Sequence, residues 1–258
     1  MQEQIEQELA RLGGRSSCIV MRMEKAVPQD LVSINPNTLY PAASLVKVPI
    51  LLEVARQVAS GRLSWEEGHA VPEAARATSA GVLADLSAEL RLSVHDLAHL
   101  MITISDNTAA NVLLDLVGMD AVNATMQELG LPSIRLERHF MDLEARAAGR
   151  DNWATAGDMA RLFAYLCTPE VPEREHIIDF LLQQNDTTIL PAYWGEDIPF
   201  AHKTGGLAGI IHDAGILFPQ QKPDMPLIIV AMTADQSDEP LTRYVLARVG
   251  QLIYQRPT

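Results

Sequence analysis

The 258-residue sequence is short of several things, and each shortage excludes something. It has two cysteines, Cys18 and Cys167, in an expected strand and an expected helix, and no Cys-x-x-Cys pair. Two buried thiols are expected rather than a disulfide framework or a structural zinc site. Basic residues are outnumbered, 20 Lys+Arg against 33 Asp+Glu, for a formal charge of −13. That balance argues against wrapping nucleic acid or lying on an anionic membrane. No apolar run approaches a membrane span; the longest are 48–52 and 227–232. The first residues lack a basic segment followed by an apolar one, so they do not read as a signal peptide. The expected location is the cytoplasm, or the periplasm or exterior if this is a mature form.

What is present is an ordinary globular composition, 48% apolar and 21% charged, long enough for one large domain or two modest ones. Residues 2–12 have helical spacing and stop at Gly13-Gly14. Residues 17–23 and 30–34 read as strands with a turn at Val27-Pro28-Gln29. Helices are expected over 44–60, over 93–116 with a break near Ser105-Asp106-Asn107, and over 121–129, 155–166 and 176–184. Residues 131–154 lack a clean period and carry four arginines, so a long loop is expected there. Strands return at 200–203, 210–218 and 226–234, punctuated by Gly205-Gly206 and Pro223, before a last amphipathic helix over 239–254. The fold class expected is α/β in the α+β sense. An antiparallel sheet and its terminal helices come from 1–43 and 196–258, and a mostly helical lobe, 44–195, is inserted between.

Three short motifs carry chemistry. In Ser44-Leu45-Val46-Lys47 a helix sets Lys47 one turn above Ser44, where a neutral amine is able to take the hydroxyl proton. The plain alternative is an N-cap serine with a solvated lysine. Ser105-Asp106-Asn107 lies between apolar helical runs. It reads either as a capped break or as a proton-relaying hydroxyl beside a substrate-binding amide. Lys203-Thr204-Gly205-Gly206 ends a short strand, as a gatekept edge or as an anion-binding site whose glycines let backbone approach a ligand.

Together and in this order the motifs resemble the class A β-lactamases and penicillin-binding proteins. The resemblance extends along nearly the whole chain and is tightest in Thr38-Leu-Tyr-Pro-Ala-Ala-Ser-Leu-Val-Lys47 and Ile102-Thr-Ile-Ser-Asp-Asn-Thr-Ala-Ala-Asn-Val-Leu114. It implies a β-lactamase/transpeptidase-like fold with Ser44 as acylated nucleophile and Lys47 as its base. Ser105 would relay the proton, and the N–H groups of Ser44 and Gly206 would form the oxyanion hole. Asn107 would bind the substrate's side-chain amide, and Lys203 and Thr204, with Gly205 beside them, its carboxylate. No metal or organic cofactor is implied. The partner is a small molecule, a β-lactam or a D-alanyl peptide or ester, and a monomer is expected.

One departure stands out. The family's long loop carries a glutamate two residues after an arginine and an asparagine four residues later, and these hold the deacylating water. Counting from Arg138, those positions are Phe140 and Glu144. Three readings follow. The chain deacylates slowly, like a D-alanyl peptidase or esterase that β-lactams inhibit. Or Glu144, or Asp142, takes over the base role and β-lactamase activity survives. Or the chain is a non-hydrolytic binding protein for β-lactams or peptidoglycan fragments. Arg138 is expected to pair with Asp151. His95 and His99 share a helix face but suggest no third metal ligand, and His212-Asp213 reads as structural or as cleft-lining.

Overall fold

The computed structural model describes residues 1–195, 198–220 and 225–255; Pro223 lies outside them. From the N-terminus, α1 (Gln2–Leu9) precedes β1 (Arg15–Glu24), β2 (Val27–Ile34) and β3 (Leu39–Pro41). Then come α2 (Lys47–Ala59), a ribbon of β4 (Gly68–Ala70) and β5 (Arg91–Ser93), α3 (Val94–Thr103), α4 (Asn107–Val117) and α5 (Met119–Glu128). The expected loop carries a short α6 (Leu143–Ala147) and leads into β6 (Trp153–Thr155), α7 (Ala156–Leu166) and α8 (Arg174–Leu182). The last elements are β7 (Phe200–Leu207), β8 (Ile210–Leu217), β9 (Leu227–Ala234) and α9 (Glu239–Tyr254).

Both ends of the chain build one antiparallel five-stranded sheet, ordered β2-β1-β9-β8-β7. Alternation sorts its side chains. Ile19, Ile228, Val230 and Met232 point inward and merge with the core of the helical lobe. Cys18, Val20, Ile229 and Ala231 point outward and are covered by Ile5 and Leu9 of α1 and Val245, Val249 and Ile253 of α9. The central strands β8 and β9 are buried on both faces; β9 is accordingly a near-continuous apolar run, and β8 is apolar apart from the hydrogen-bonded His212-Asp213.

Three expectations are revised. The β1–β2 turn is Lys25-Ala26, both left-handed (φ 51° and 64°), and Val27-Pro28-Gln29 belong to β2. Proline is tolerated there because β2 is the sheet edge, where its missing N–H breaks no ladder. Strand β7 does not stop at Lys203 but runs through both glycines to Leu207, paired with β8 throughout. Finally, α7 packs on β1 and β9, so this part of the 44–195 segment lies against the sheet. Its start is capped by Thr155, whose hydroxyl accepts the Asp158 N–H at 3.2 Å. The small β3–β6 ladder ties the chain entering α2 to the end of the long loop. Cys18 and Cys167 are free, and burial raises both thiols to about 12.

Candidate active site

Ser44 lies in a 3-10 turn, Ala43–Val46, that tightens the entry to α2; Ala43 before it is left-handed (φ 48°). Lys47 opens α2 and is fully buried. Its Nζ lies 3.2 Å from Ser44 Oγ, 3.1 Å from Ser105 Oγ, 2.7 Å from the Ser105 carbonyl and 2.8 Å from Asn107 Oδ1. One amine therefore joins the first two motifs.

Ser105 reaches it because the helical run breaks where the sequence suggested. α3 ends at Thr103, Ser105 is left-handed (φ 59°), and Asp106 caps α4. The Asp106 carboxylate accepts three backbone N–H groups: Ala109 at 2.9 Å, Val82 at 2.6 Å and Leu83 at 2.9 Å. It pins the 81–83 segment against the break. A Cβ at Gly81 would sit 2.1 Å from that carboxylate, on a backbone with φ +91°, so only glycine fits.

The third motif arrives on β7. Lys203 is fully buried, its Nζ donating to the Thr204 carbonyl at 2.9 Å. A Cβ at Gly205 would lie 3.3 Å from both the Ser44 nitrogen and the Ala43 Cβ, so this glycine lets β7 pass close to the Ser44 N–H. Gly206 follows, and with Ser44 and Asn107 it lines a cleft of about 340 Å³. Burial, then the neighbouring Lys203 ammonium, holds Lys47 well below its ordinary value, against the pull of Asp106. Burial brings Lys203 down to about 7, opposed by Asp213 and Asp186.

The long loop supplies one wall of the cleft. Arg138 and Asp151 pair as expected, Nε–Oδ1 at 2.8 Å and Nη2–Oδ1 at 2.7 Å, both buried. Phe140 lies with its ring centroid 4.6 Å from Lys47 Nζ. Its backbone is held at both ends by Asn111, whose Oδ1 accepts the Phe140 N–H at 2.9 Å and whose Nδ2 donates to its carbonyl at 3.2 Å. Sequence reasoning gave Asn111 no role; its signal was an amide inside the apolar run of α4.

Other residues fall elsewhere. Glu144 sits exposed on α6 and does not line the cleft. Asp142 caps α6, accepting the Ala145 N–H at 2.8 Å. The structure thus brings Phe140, and neither carboxylate, against Lys47. His212 does not line the cleft either: it is fully buried, Nε2 donating to the Pro41 carbonyl at 2.9 Å and Nδ1 accepting the Thr233 N–H at 3.1 Å. Asp213 bonds His202 Nδ1 at 2.7 Å. His95 and His99 flank Phe180. Among the described residues, no group of three His, Cys, Asp or Glu side chains is placed to hold a metal.

This antiparallel sheet with its packed helices is the fold of the class A β-lactamases. The chain belongs to the β-lactamase enzyme family, whose sequence profile matches residues 1–256. It is 29% identical over 163 residues to β-lactamase AST-1 of Nocardia asteroides, 59% of this chain and 51% of that protein. The chain thus spans about half the length of that relative. A β-lactamase from Sphaerobacter thermophilus superposes with a TM-score of 0.89 at 27% identity, over 99% of this chain and 96% of that one. PBP-A, a point variant of which was solved as an acyl-enzyme complex with penicillin G, superposes at 0.87 with 26% identity, over 98% and 94%.

Proposed function

We propose that this protein is a serine acyl-transfer hydrolase that opens β-lactam-like amides through an acyl-enzyme at Ser44 and releases the product slowly. The observation that carries the reading is the position of Lys47 Nζ, within hydrogen-bond distance of both Ser44 Oγ and Ser105 Oγ. Burial and the nearby Lys203 ammonium hold this amine well below its ordinary value, which favours the free lone pair that a base requires. It takes the Ser44 proton as Oγ attacks the substrate carbonyl. The oxyanion meets the N–H groups of Ser44 and Gly206, each such donor contributing about 3–4 kcal/mol. The C–N bond then breaks, Ser105 Oγ gives its proton to the leaving nitrogen, and Lys47 returns one to Ser105. Lys203 and Thr204 hold the substrate carboxylate, and Asn107 its side-chain amide.

Hydrolysis of the ester needs a group to take a proton from water. Phe140 has no acceptor and occupies the space over Lys47, while Glu144 is exposed outside the cleft. Acylation is therefore the efficient half of the cycle. The relatives named β-lactamases, and the penicillin acyl-enzyme of PBP-A, support the first half of this reading. Phe140 also favours a second substrate class, D-alanyl esters or peptides, with β-lactams acting as slow substrates that inhibit.

The test is intact mass after incubation with penicillin G. Wild type gains one penicillin mass, located by peptide mapping to Ser44. A folded Ser44→Ala variant gains none; an adduct or turnover persisting in that variant would refute the assignment.

A further inference from the structure

The cleft has a charge that acyl transfer does not use. Its lining includes two arginines, Arg138 and Arg146, and, among the described residues, no carboxylate. In a chain of formal charge −13 this is a local reversal of sign. Asp151 is the nearby counter-ion, but its Oδ1 is already taken by Arg138 and by the Asn152 N–H at 2.9 Å. Arg138 also donates Nη1 to the His139 carbonyl at 3.0 Å, so that guanidinium is committed to the loop. Arg146 differs. Its Nε stands 3.6 Å from Asp151 Oδ2, beyond hydrogen-bond length, and its side chain is 43% exposed. Two cations share one carboxylate, and the one left loosely paired borders the cleft. Beside it Met141 and the exposed Leu143 give that wall an apolar surface.

We propose that Arg146 is a specificity-determining residue that selects acyl donors bearing a carboxylate beside an apolar group on the acyl side. This rests on the Ser44 reading above, in which Asn107 grips the acyl side and Lys203 and Thr204 the opposite carboxylate. Arg146 belongs to the loop wall that also carries Phe140, not to β7. An acidic acyl group placed there gains a charge-assisted, forked contact that a neutral analogue lacks. Such a contact is worth about tenfold or more in affinity.

The experiment compares benzylpenicillin with its α-carboxybenzyl counterpart, which differs by one carboxylate on the acyl side. Rates of Ser44 acylation are followed by intact mass with wild type, Arg146→Gln and Arg146→Lys. Wild type is expected to acylate about tenfold faster with the α-carboxy compound. The preference is lost in Arg146→Gln, partly kept in Arg146→Lys, and reduced in wild type by high salt. Acylation by both compounds with no wild-type preference, or with a preference that survives in Arg146→Gln, overturns the assignment of Arg146. Absence of any adduct from either compound instead overturns the Ser44 reading beneath it.

Discussion

Replacing Phe140 by Glu sets a carboxylate against Lys47 and acts on both halves of the cycle in opposite directions. The ring centroid is 4.6 Å from Lys47 Nζ, so a carboxylate in that space interacts with the ammonium by about 3.6 kcal/mol at an effective dielectric of about 20. That attraction is comparable to the lost ring burial, up to about 3 kcal/mol. It also raises Lys47's proton affinity more than a hundredfold. Fewer molecules then hold the free amine at neutral pH, so acylation does not gain. Deacylation does, because a positioned base contributes about 10²–10⁴-fold. The assay is decay of the Ser44 adduct by intact mass after rapid removal of free penicillin, with circular dichroism to establish folding. Phe140→Leu serves as the control that keeps an apolar side chain and should keep the slow rate. An adduct that decays no faster in folded Phe140→Glu than in wild type would refute the claim that this position limits deacylation.

Other consequences follow from the same geometry. Lys203, brought down to about 7, holds an anionic substrate only while charged. Acylation efficiency in wild type should therefore fall as pH rises above about 7. Lys203→Arg, which does not titrate there, should move that alkaline limb upward; an unmoved limb would assign it to another group. His212 is about 4 folded against 6.5 unfolded, so between these values the unfolded chain binds more protons. Stability should fall by up to about 3 kcal/mol as pH drops from 6.5 to 4, and His212→Gln should flatten that segment of a urea-denaturation series. Asp151→Asn leaves the Arg138 guanidinium buried without its counter-charge, at a cost of about 3–5 kcal/mol. Amide exchange over 131–154 should quicken first, and unchanged protection there would contradict the role given to the pair.

The three motifs were legible because each is local. Ser44 and Lys47 are one helical turn apart, and Ser105-Asp106-Asn107 announces its own break between apolar runs. Arg138 suggested a partner acid at the far end of its loop, and Asp151 is that partner. What the sequence hid depends on partners far along the chain. The extension of β7 through Gly205-Gly206 is dictated by the proximity of Ser44, more than 150 residues earlier, and a glycine pair alone reads as a turn. Pro28 looked like a turn residue because the edge position of β2 is a property of the assembled sheet. Glu144 looked like a base by spacing along an extended loop. The short α6, capped by Asp142, coils that segment and turns Glu144 to solvent. Asn111 showed only as a misplaced amide until its contact with Phe140 was visible.

Fast acylation of Ser44 followed by slow release has a distinct kinetic signature. It is read by stopped-flow mixing with a chromogenic cephalosporin, with intact mass taken on the same samples. A burst of one chromophore per protein, a slow steady phase and a persistent mass increase on Ser44 are expected. Rapid linear turnover without a burst or a trapped adduct would contradict slow release, and would mean that a group other than Phe140 governs the water.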